Sequence, residues 1–298
     1  MEKRIVVFTE KIDGHRGLRL SQEAERKNIN IHVVDIRTVQ LRDGVIFYEG
    51  KALKIDPSDI IWFASNCARN HYIAKVLHMN GNRIWPSHEA LDFADKYVTN
   101  YFFSANGIPT PKTALLQTES INEAVSYVGG YPCVIKKNIS SQGKHVEIVR
   151  DENDIHEFVK NTIGSGFERT LVGKVPNGTY SFQLQEYIAE SAGSDYRVLV
   201  LNGKILGCIK REASEGFKAN ISLGGSAKKI EIDSEMKDLV EKIVKAGKLF
   251  YAGIDFIKGK DGYLAIEINT SAQFEGFEGA TGINVAGNIL DALLAEKQ

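Results

Sequence analysis

The residues best placed to do chemistry in this 298-residue chain sit near its C-terminal end, on two apolar runs at 253–258 and 263–269. Ile254 and Phe256 share one face of the first run, and Leu264, Ile266 and Ile268 share one face of the second, because side chains alternate along a strand. If the runs pair as a hairpin with one buried face, the register must join even numbers to even. A turn centred on Asp261 then puts Ile254 beside Ile268 and Phe256 beside Ile266. The opposite face collects Asp255, Glu267 and Asn269, with Asp255 directly across from Glu267. Facing carboxylates repel, and Asp and Asn are poor strand formers. Either this is a wet outer face, or the broken local rule marks a working site. Oxygen-only donors suit a hard cation: magnesium, with manganese as a substitute, keeping waters and bridging to phosphate oxygens.

A metal–phosphate site also needs fixed positive charge. Lys136 lies on the apolar run 133–137, just before the loop Ser140-Ser141-Gln142-Gly143. Small residues there let backbone N–H groups close over an anion. Lys136 and its neighbour Lys137 point to opposite faces, so at least one turns inward. Lys96 lies on a helical pattern that enters the same unit, Arg211 ends the run 204–210, and Lys218 and Asn220 follow in the Gly-rich stretch 214–226. Taken singly, each is an ordinary solvated charge. Together they describe a site for a phosphate-rich ligand.

The elements that must position these residues fall into three groups. In the first ninety residues, apolar runs at 5–8, 29–36, 59–63 and 83–85 alternate with helical patterns at 18–27 and 68–80. That alternation predicts an α/β unit around a parallel sheet. Its first strand-to-helix turn, 9–17, lacks the GxGxxG spacing of a dinucleotide site. A second unit follows: a helix over 90–106 stopped at Gly107-Ile108-Pro109, strands at 112–116, 133–137 and 145–149, and helices at 120–128 and 151–160. The stretch 164–179 reads as a loop or hairpin. The last unit is α+β with an antiparallel pattern, with strands at 182–188, 196–201 and 204–210, the latter two joined by an Asn202-Gly203 turn. A helix at 234–250, the carboxylate-bearing strands and a helix at about 285–294 complete it.

The net charge is -1, with 37 Lys and Arg against 38 Asp and Glu, which argues against a general nucleic-acid binder. With 43% hydrophobic and 25% charged residues, the composition is that of a globular chain. No apolar run approaches the roughly 18 residues of a membrane span. Residues 1–8 lack a signal-peptide pattern, and Cys67, Cys133 and Cys208 each lie in apolar surroundings. These features predict a cytoplasmic protein with buried thiols, not associated with membranes. His71 and His78 could share a helix face but have no carboxylate at the spacing of a metal motif, and read as surface or acceptor-pocket residues. P-loop, serine-hydrolase and zinc-protease strings are absent from the sequence.

An ordered series of motifs runs through the chain: Gln185-Glu186-Tyr187-Ile188, Asp195-Tyr196-Arg197, the loop after Arg211, Glu267-Ile268-Asn269-Thr270-Ser271, Glu275-Gly276-Phe277-Glu278 and Thr281-Gly282. The series resembles the ATP-grasp ligases, and within them the RimK type, which ligates glutamate to carboxylates. The resemblance is strong from about residue 90 and looser before it. It implies a pre-ATP-grasp domain over 1–90, a small lid subdomain over 91–178 and a large subdomain with the metal site over 179–298, clamping ATP between the last two. It further implies that Lys96 and Lys136 lie on the phosphate side, with Ser141, Gln142 and Gly143 in the flexible loop. Glu186, Tyr187 and Ile188 would read adenine through backbone groups, Asp195 would bind the nucleotide, and Lys218 and Asn220 the triphosphate. Arg211 would steady the transferred phosphoryl and acyl oxygens, while Asp255, Glu267 and Asn269 would hold the metal.

Departures from the family pattern are Ala272-Gln273 where Pro commonly follows the last metal ligand, Lys218 where Arg is common, and Trp62-Phe63-Ala64-Ser65-Asn66 in place of an arginine-bearing acceptor segment. The implied reaction uses ATP and Mg2+ to join an amine, such as that of L-glutamate, to a carboxylate on a small molecule, peptide or carrier protein. It would pass through an acyl phosphate, and a homo-oligomer is usual for the family. Two alternatives are a phosphotransferase on the same clamp and a nucleotide-binding regulator without turnover.

Overall fold

The computed structural model describes residues 3–65, 68–116, 120–140, 143, 145–165, 181–213 and 225–295. Ser141, Gln142, Lys218 and Asn220, together with Cys67, lie outside them.

The first unit contains β1 (Ile5–Thr9), α1 (His15–Lys27), β2 (Ile31–Asp35), the short strands β3 (Gln40–Arg42), β4 (Val45–Tyr48) and β5 (Lys51–Ala52), then β6 (Ile60–Phe63), α2 (Ala68–Met79) and β7 (Arg83–Trp85). Four of these strands form a parallel sheet in the order β2-β1-β6-β7. All of β1 and β6 is buried, because crossover segments cover both faces of a parallel sheet. The small antiparallel sheet β3-β4-β5 is an addition that sequence patterning overlooked: its strands are two to four residues long and largely exposed.

The next segment holds a 3-10 turn at Ala90–Ala94, α3 (Lys96–Ala105), β8 (Thr113–Leu115), α4 (Ile121–Tyr127), β9 (Cys133–Lys137), β10 (Val146–Val149), α5 (Glu152–Ser165) and β11 (Phe182–Glu186). One continuous helix over 90–106 does not form. Asp95 interrupts it in extended conformation and caps α3, accepting from the N–H groups of Tyr97 and Val98. An antiparallel sheet runs β10-β9-β11-β8. Thus β11, expected with the last unit, belongs to the small sheet, and the division by sheet falls after Glu186 rather than at 178. Conversely, Phe103 of α3 packs in the core of the large sheet.

That large sheet comprises β12 (Ser194–Leu201), β13 (Lys204–Glu212), β14 (Ser226–Ile230), β15 (Tyr251–Gly259) and β16 (Gly262–Asn269), with α6 (Ser234–Gly247), α7 (Glu275–Thr281) and α8 (Val285–Ala295) around it. Its order is β14-β13-β12-β15-β16, antiparallel at every described pairing. The even face of β12 and β15 carries Val198, Val200, Ala252, Ile254 and Phe256 into one core with α6. The odd face is divided. Leu199, Leu201 and Tyr251 at one end join a core built with β1, β6, α1 and α8, while the other end carries charge. The first unit therefore covers the apolar half of that face and stops where the charged half begins.

Candidate active site

Three strand registers assemble the charged half. Asp195 pairs with Arg211, Arg197 with Asp255, and Asp255 with Glu267, so one charged row, stepping two residues along β12 from Asp195 to Arg197, crosses β13, β12, β15 and β16. The apolar pattern correctly sets this end of the hairpin, with Ile254 opposite Ile268 and Asp255 opposite Glu267. It fails nearer the turn. A β-bulge between Asp255 and Phe256 places Phe256 opposite Ala265 instead of Ile266, and the turn closes on the pair Gly259–Gly262. Tyr263 and Ala265 consequently enter the core. Leu264 turns away from it, and its Cδ1 would lie 3.3 Å from a Cβ on Gly259, with Cγ2 of Ile188 at 3.7 Å. An apolar wall thus forms beside the linker that contains Tyr187 and Ile188.

The charges are paired tightly. Arg211 donates from Nε and Nη2 to the two oxygens of Asp195, at 2.5 and 2.7 Å, and from Nη2 to Oδ2 of Asp255 at 2.9 Å. Arg197 grips Asp255 with a second fork, both contacts at 2.7 Å. Arg211 is 4% exposed and Asp255 2%. Burial opposes ionisation of Asp255, but Arg197 and Arg211 outweigh it and hold the carboxyl below the ordinary carboxylate range. Burial pushes Asp195 up to about 6 against the pull of Arg211, with repulsion from Asp255 adding to the rise. Arg211 is pushed above its ordinary value because the two carboxylates more than offset its burial. Gly253 permits the approach of the next loop: a Cβ there would lie 2.8 Å from Cβ of Ala272 and 3.4 Å from Arg197.

Two lysines reach this row from the small sheet and α3. Lys96 donates to the Ser140 carbonyl at 2.6 Å and lies 3.7 Å from Oε1 of Glu267, so it connects the loop before Gly143 to the carboxylate strand. Gly143 itself has φ of 66°, a conformation that suits glycine. Lys136 is buried and donates to Oε1 of Gln185 at 2.5 Å. Nε2 of Gln185 donates in turn to Asn100 Oδ1 at 3.0 Å and to Thr113 Oγ1 at 2.9 Å. Burial, helped by repulsion from Lys96, brings the Lys136 ammonium down to about 8, despite attraction from Glu267. The result is a cation with amide neighbours and a strong demand for an anion.

Other expected residues are less converged. Glu186 pairs with Lys112 through backbone and carboxylate, its N–H donating to the Lys112 carbonyl at 2.8 Å. Tyr187 and Ile188 form the link out of β11 into the turn Ala189–Ser191, and the Ile188 carbonyl accepts from the Ser191 N–H and hydroxyl. Asn269 accepts the Ser271 N–H at 3.1 Å, leaving its second carbonyl lone pair for a ligand. Asp255, Glu267 and Asn269 are all oxygen donors, and Glu267, 32% exposed at its side chain, opens toward solvent. This donor set fits a hard divalent cation that keeps waters.

Arg197 and Gln183 have no assigned role in the sequence reading. Arg197 could have been found from its i, i+2 relation to Asp195, which puts both on the face of Asp255. Gln183 sits opposite Lys136 in the register, is fully buried, and has both amide atoms without partners among the described residues, so it presents a donor and an acceptor within the protein interior.

Comparison with known proteins agrees with this architecture. The sequence model of the RimK-like ATP-grasp domain matches residues 93–293. A probable alpha-L-glutamate ligase of Legionella pneumophila (strain Corby) is 29% identical over 283 residues, covering 92% of this chain and 89% of the relative. The crystal structure of a RimK domain ATP-grasp protein from Sphaerobacter thermophilus superposes with a TM-score of 0.74 at 17% identity, over 98% of this chain and 100% of the other. The ATP-grasp ligase PsnB, solved with a phosphomimetic variant of its minimal precursor, Mg and ADP, gives 0.68 at 19% identity over 99% of each chain. Both likenesses show an ATP-grasp fold, and the matched domain spans most of the sequence. The chain belongs to the RimK-like ATP-grasp family.

Proposed function

We propose that this chain, an ATP-dependent carboxylate–amine ligase by family, joins an α-amino acid such as L-glutamate to a carboxylate acceptor through an acyl phosphate. The observation that carries the reading is the row Asp195–Arg211–Asp255–Arg197, which ends at Glu267 beside Lys96 and faces the buried cation Lys136 across the clamp. Supporting it are the names of the relatives, probable alpha-L-glutamate ligases, and the Mg and ADP in the PsnB complex.

In this account Asp255, Glu267 and Asn269 hold Mg2+, which neutralises phosphate charge when bound. Lys96 and Lys136 bind the phosphates, while the linker at Glu186, Tyr187 and Ile188, with Leu264, takes the adenine ring. By the family resemblance, Ser141, Gln142 and Gly143 are assigned to phosphate binding, and Lys218 and Asn220 to the triphosphate. The acceptor carboxylate attacks the γ-phosphorus. The bond to the β,γ-bridging oxygen breaks, and ADP leaves. The amine then attacks the acyl carbon, phosphate departs with its electron pair, and the amine loses a proton. Arg211, fixed by two carboxylates, stabilises the developing oxyanion in this account. Positioning and charge neutralisation carry the reaction.

No helix among the described residues is long and apolar enough to cross a membrane. The test is a screen of amino acids against candidate carboxylates, with ADP and product mass followed together. The reading expects ADP release that requires both partners and a product equal to their sum less one water. Amine-independent phosphorylation of a hydroxyl would identify a phosphotransferase instead.

A further inference from the structure

The first turn of α1 holds a guanidinium whose charge is unmatched. Arg16 is 5% exposed, yet no ion pair among the described residues includes it. Its one hydrogen bond among the described residues runs from Nη2 to the Ser271 carbonyl at 2.6 Å, and its buried Nε has no partner among them. Arg211, equally deep in the molecule, and Arg197, partly buried, are each forked onto carboxylates. Glu278, which lies 3.9 Å from His15 Nε2, is already engaged by Arg19 and by the N–H groups of Val285 and Ala286. Burial lowers Arg16 to about 10, with only weak compensation from Tyr251 and Glu10. A second polar atom at the same turn, the buried Nδ1 of His15, also lacks a partner among the described residues.

The position is built. A Cβ on Gly17 would meet the Ile12 carbonyl oxygen at 2.2 Å, so the loop after β1 folds tightly onto the first turn of α1. Gly14, the N-cap, contributes no side chain to the turn's N–H groups. Through Ser271, Arg16 reaches a point two residues beyond Asn269, the last residue of the carboxylate strand.

We propose that Arg16 is the receptor for a non-reacting carboxylate of the substrate. A carboxylate matches the planar fork of a guanidinium and would restore the charge balance that the free protein lacks. The inference rests on the ligase reading for the identity of the anion as a substrate group. Its two sources are the α-carboxylate of the incoming amino acid and a second carboxylate of the acceptor.

The experiment uses the full chain with Mg2+ and AMPPNP, and follows thermal shift with L-glutamate, glutarate and 4-aminobutyrate. Wild type should be stabilised by L-glutamate, with a dissociation constant at least tenfold weaker in Arg16→Met and partly restored in Arg16→Lys. Glutarate lacks the amine, so an Arg16-dependent response to it identifies the acceptor's carboxylate. A response to L-glutamate but not to glutarate or 4-aminobutyrate identifies the α-carboxylate. Unliganded Arg16→Met should melt at or above wild type, because it removes an unpaired buried charge and keeps the aliphatic stem. Equal shifts in wild type and both variants, zero included, overturn the proposal. ADP release measured in parallel separates the two readings. Turnover with Arg16-independent binding removes only the receptor, whereas Arg16-dependent binding without turnover removes only the ligase.

Discussion

Arg197 and Asp255 form a two-pronged ion pair across β12 and β15, with both contacts at 2.7 Å. The pair gives the carboxylate a fixed orientation beside Glu267. Replacing Arg197 with Met leaves Asp255 to Arg211 alone and frees the carboxylate to rotate. Loss of such a supporting contact typically costs 10–100-fold in metal affinity or activity. The expected result is a rise of that order in the Mg2+ concentration for half-maximal ADP release, with ATP affinity changed much less. Arg197→Lys should recover only part of it, because a point charge cannot replace the fork.

The two carboxylates should differ sharply on amidation. Asp255 is buried and shared by two guanidiniums, so Asp255→Asn strands positive charge in the interior. Breaking such a pair costs about 3–5 kcal/mol, which calorimetry would read as a lower melting temperature. Glu267 is partly open, and its nearest cation is Lys96 at 3.7 Å. Glu267→Gln should therefore keep wild-type stability to within about 1 kcal/mol while turnover falls by roughly a thousandfold or more. Full turnover in Glu267→Gln would remove it from the site.

How far these pairs were legible follows from what alternation records. Alternation places Ile254, Asp255, Glu267 and Ile268 correctly, since a buried face fixes register wherever the strand is regular. It cannot register an extra residue, so the bulge hid the exchange of Ile266 and Leu264 for Ala265 and Tyr263. The individual strands of the small sheet are legible in the sequence, but the place of β11 among them is not. Phe182 and Leu184 are apolar in either sheet, and only the long-range pairings of β11 with β8 and β9 decide between them. Similarly, the sequence shows 9–17 only as a strand-to-helix turn, whereas the missing counter-charge at Arg16 appears only once burial is known.

Lys136 predicts a pH dependence. Its folded value of about 8 lies below the ordinary 10.5 because of burial, with Lys96 adding to the fall. Below pH 8 the folded chain carries a buried ammonium at a cost on the order of 3 kcal/mol. Because the folded value is depressed for a base, this cost is relieved as pH rises from about 8 to 10.5. Over the same range the free enzyme loses the charge that binds phosphate. Hence kcat/KM for ATP should fall above about pH 8, while the stability difference between wild type and Lys136→Met narrows. Lys136→Arg, charged throughout, should have a flat profile for ATP.

The transfer of oxygen from the acceptor to phosphate tests the central claim most directly. An acceptor labelled with 18O in its carboxylate should pass one labelled oxygen to each phosphate released, because the oxygen that attacks the γ-phosphorus leaves with it when the amine enters. Mass spectrometry of the phosphate should show one 18O per amide formed. Amide formation with unlabelled phosphate would contradict the acyl-phosphate account.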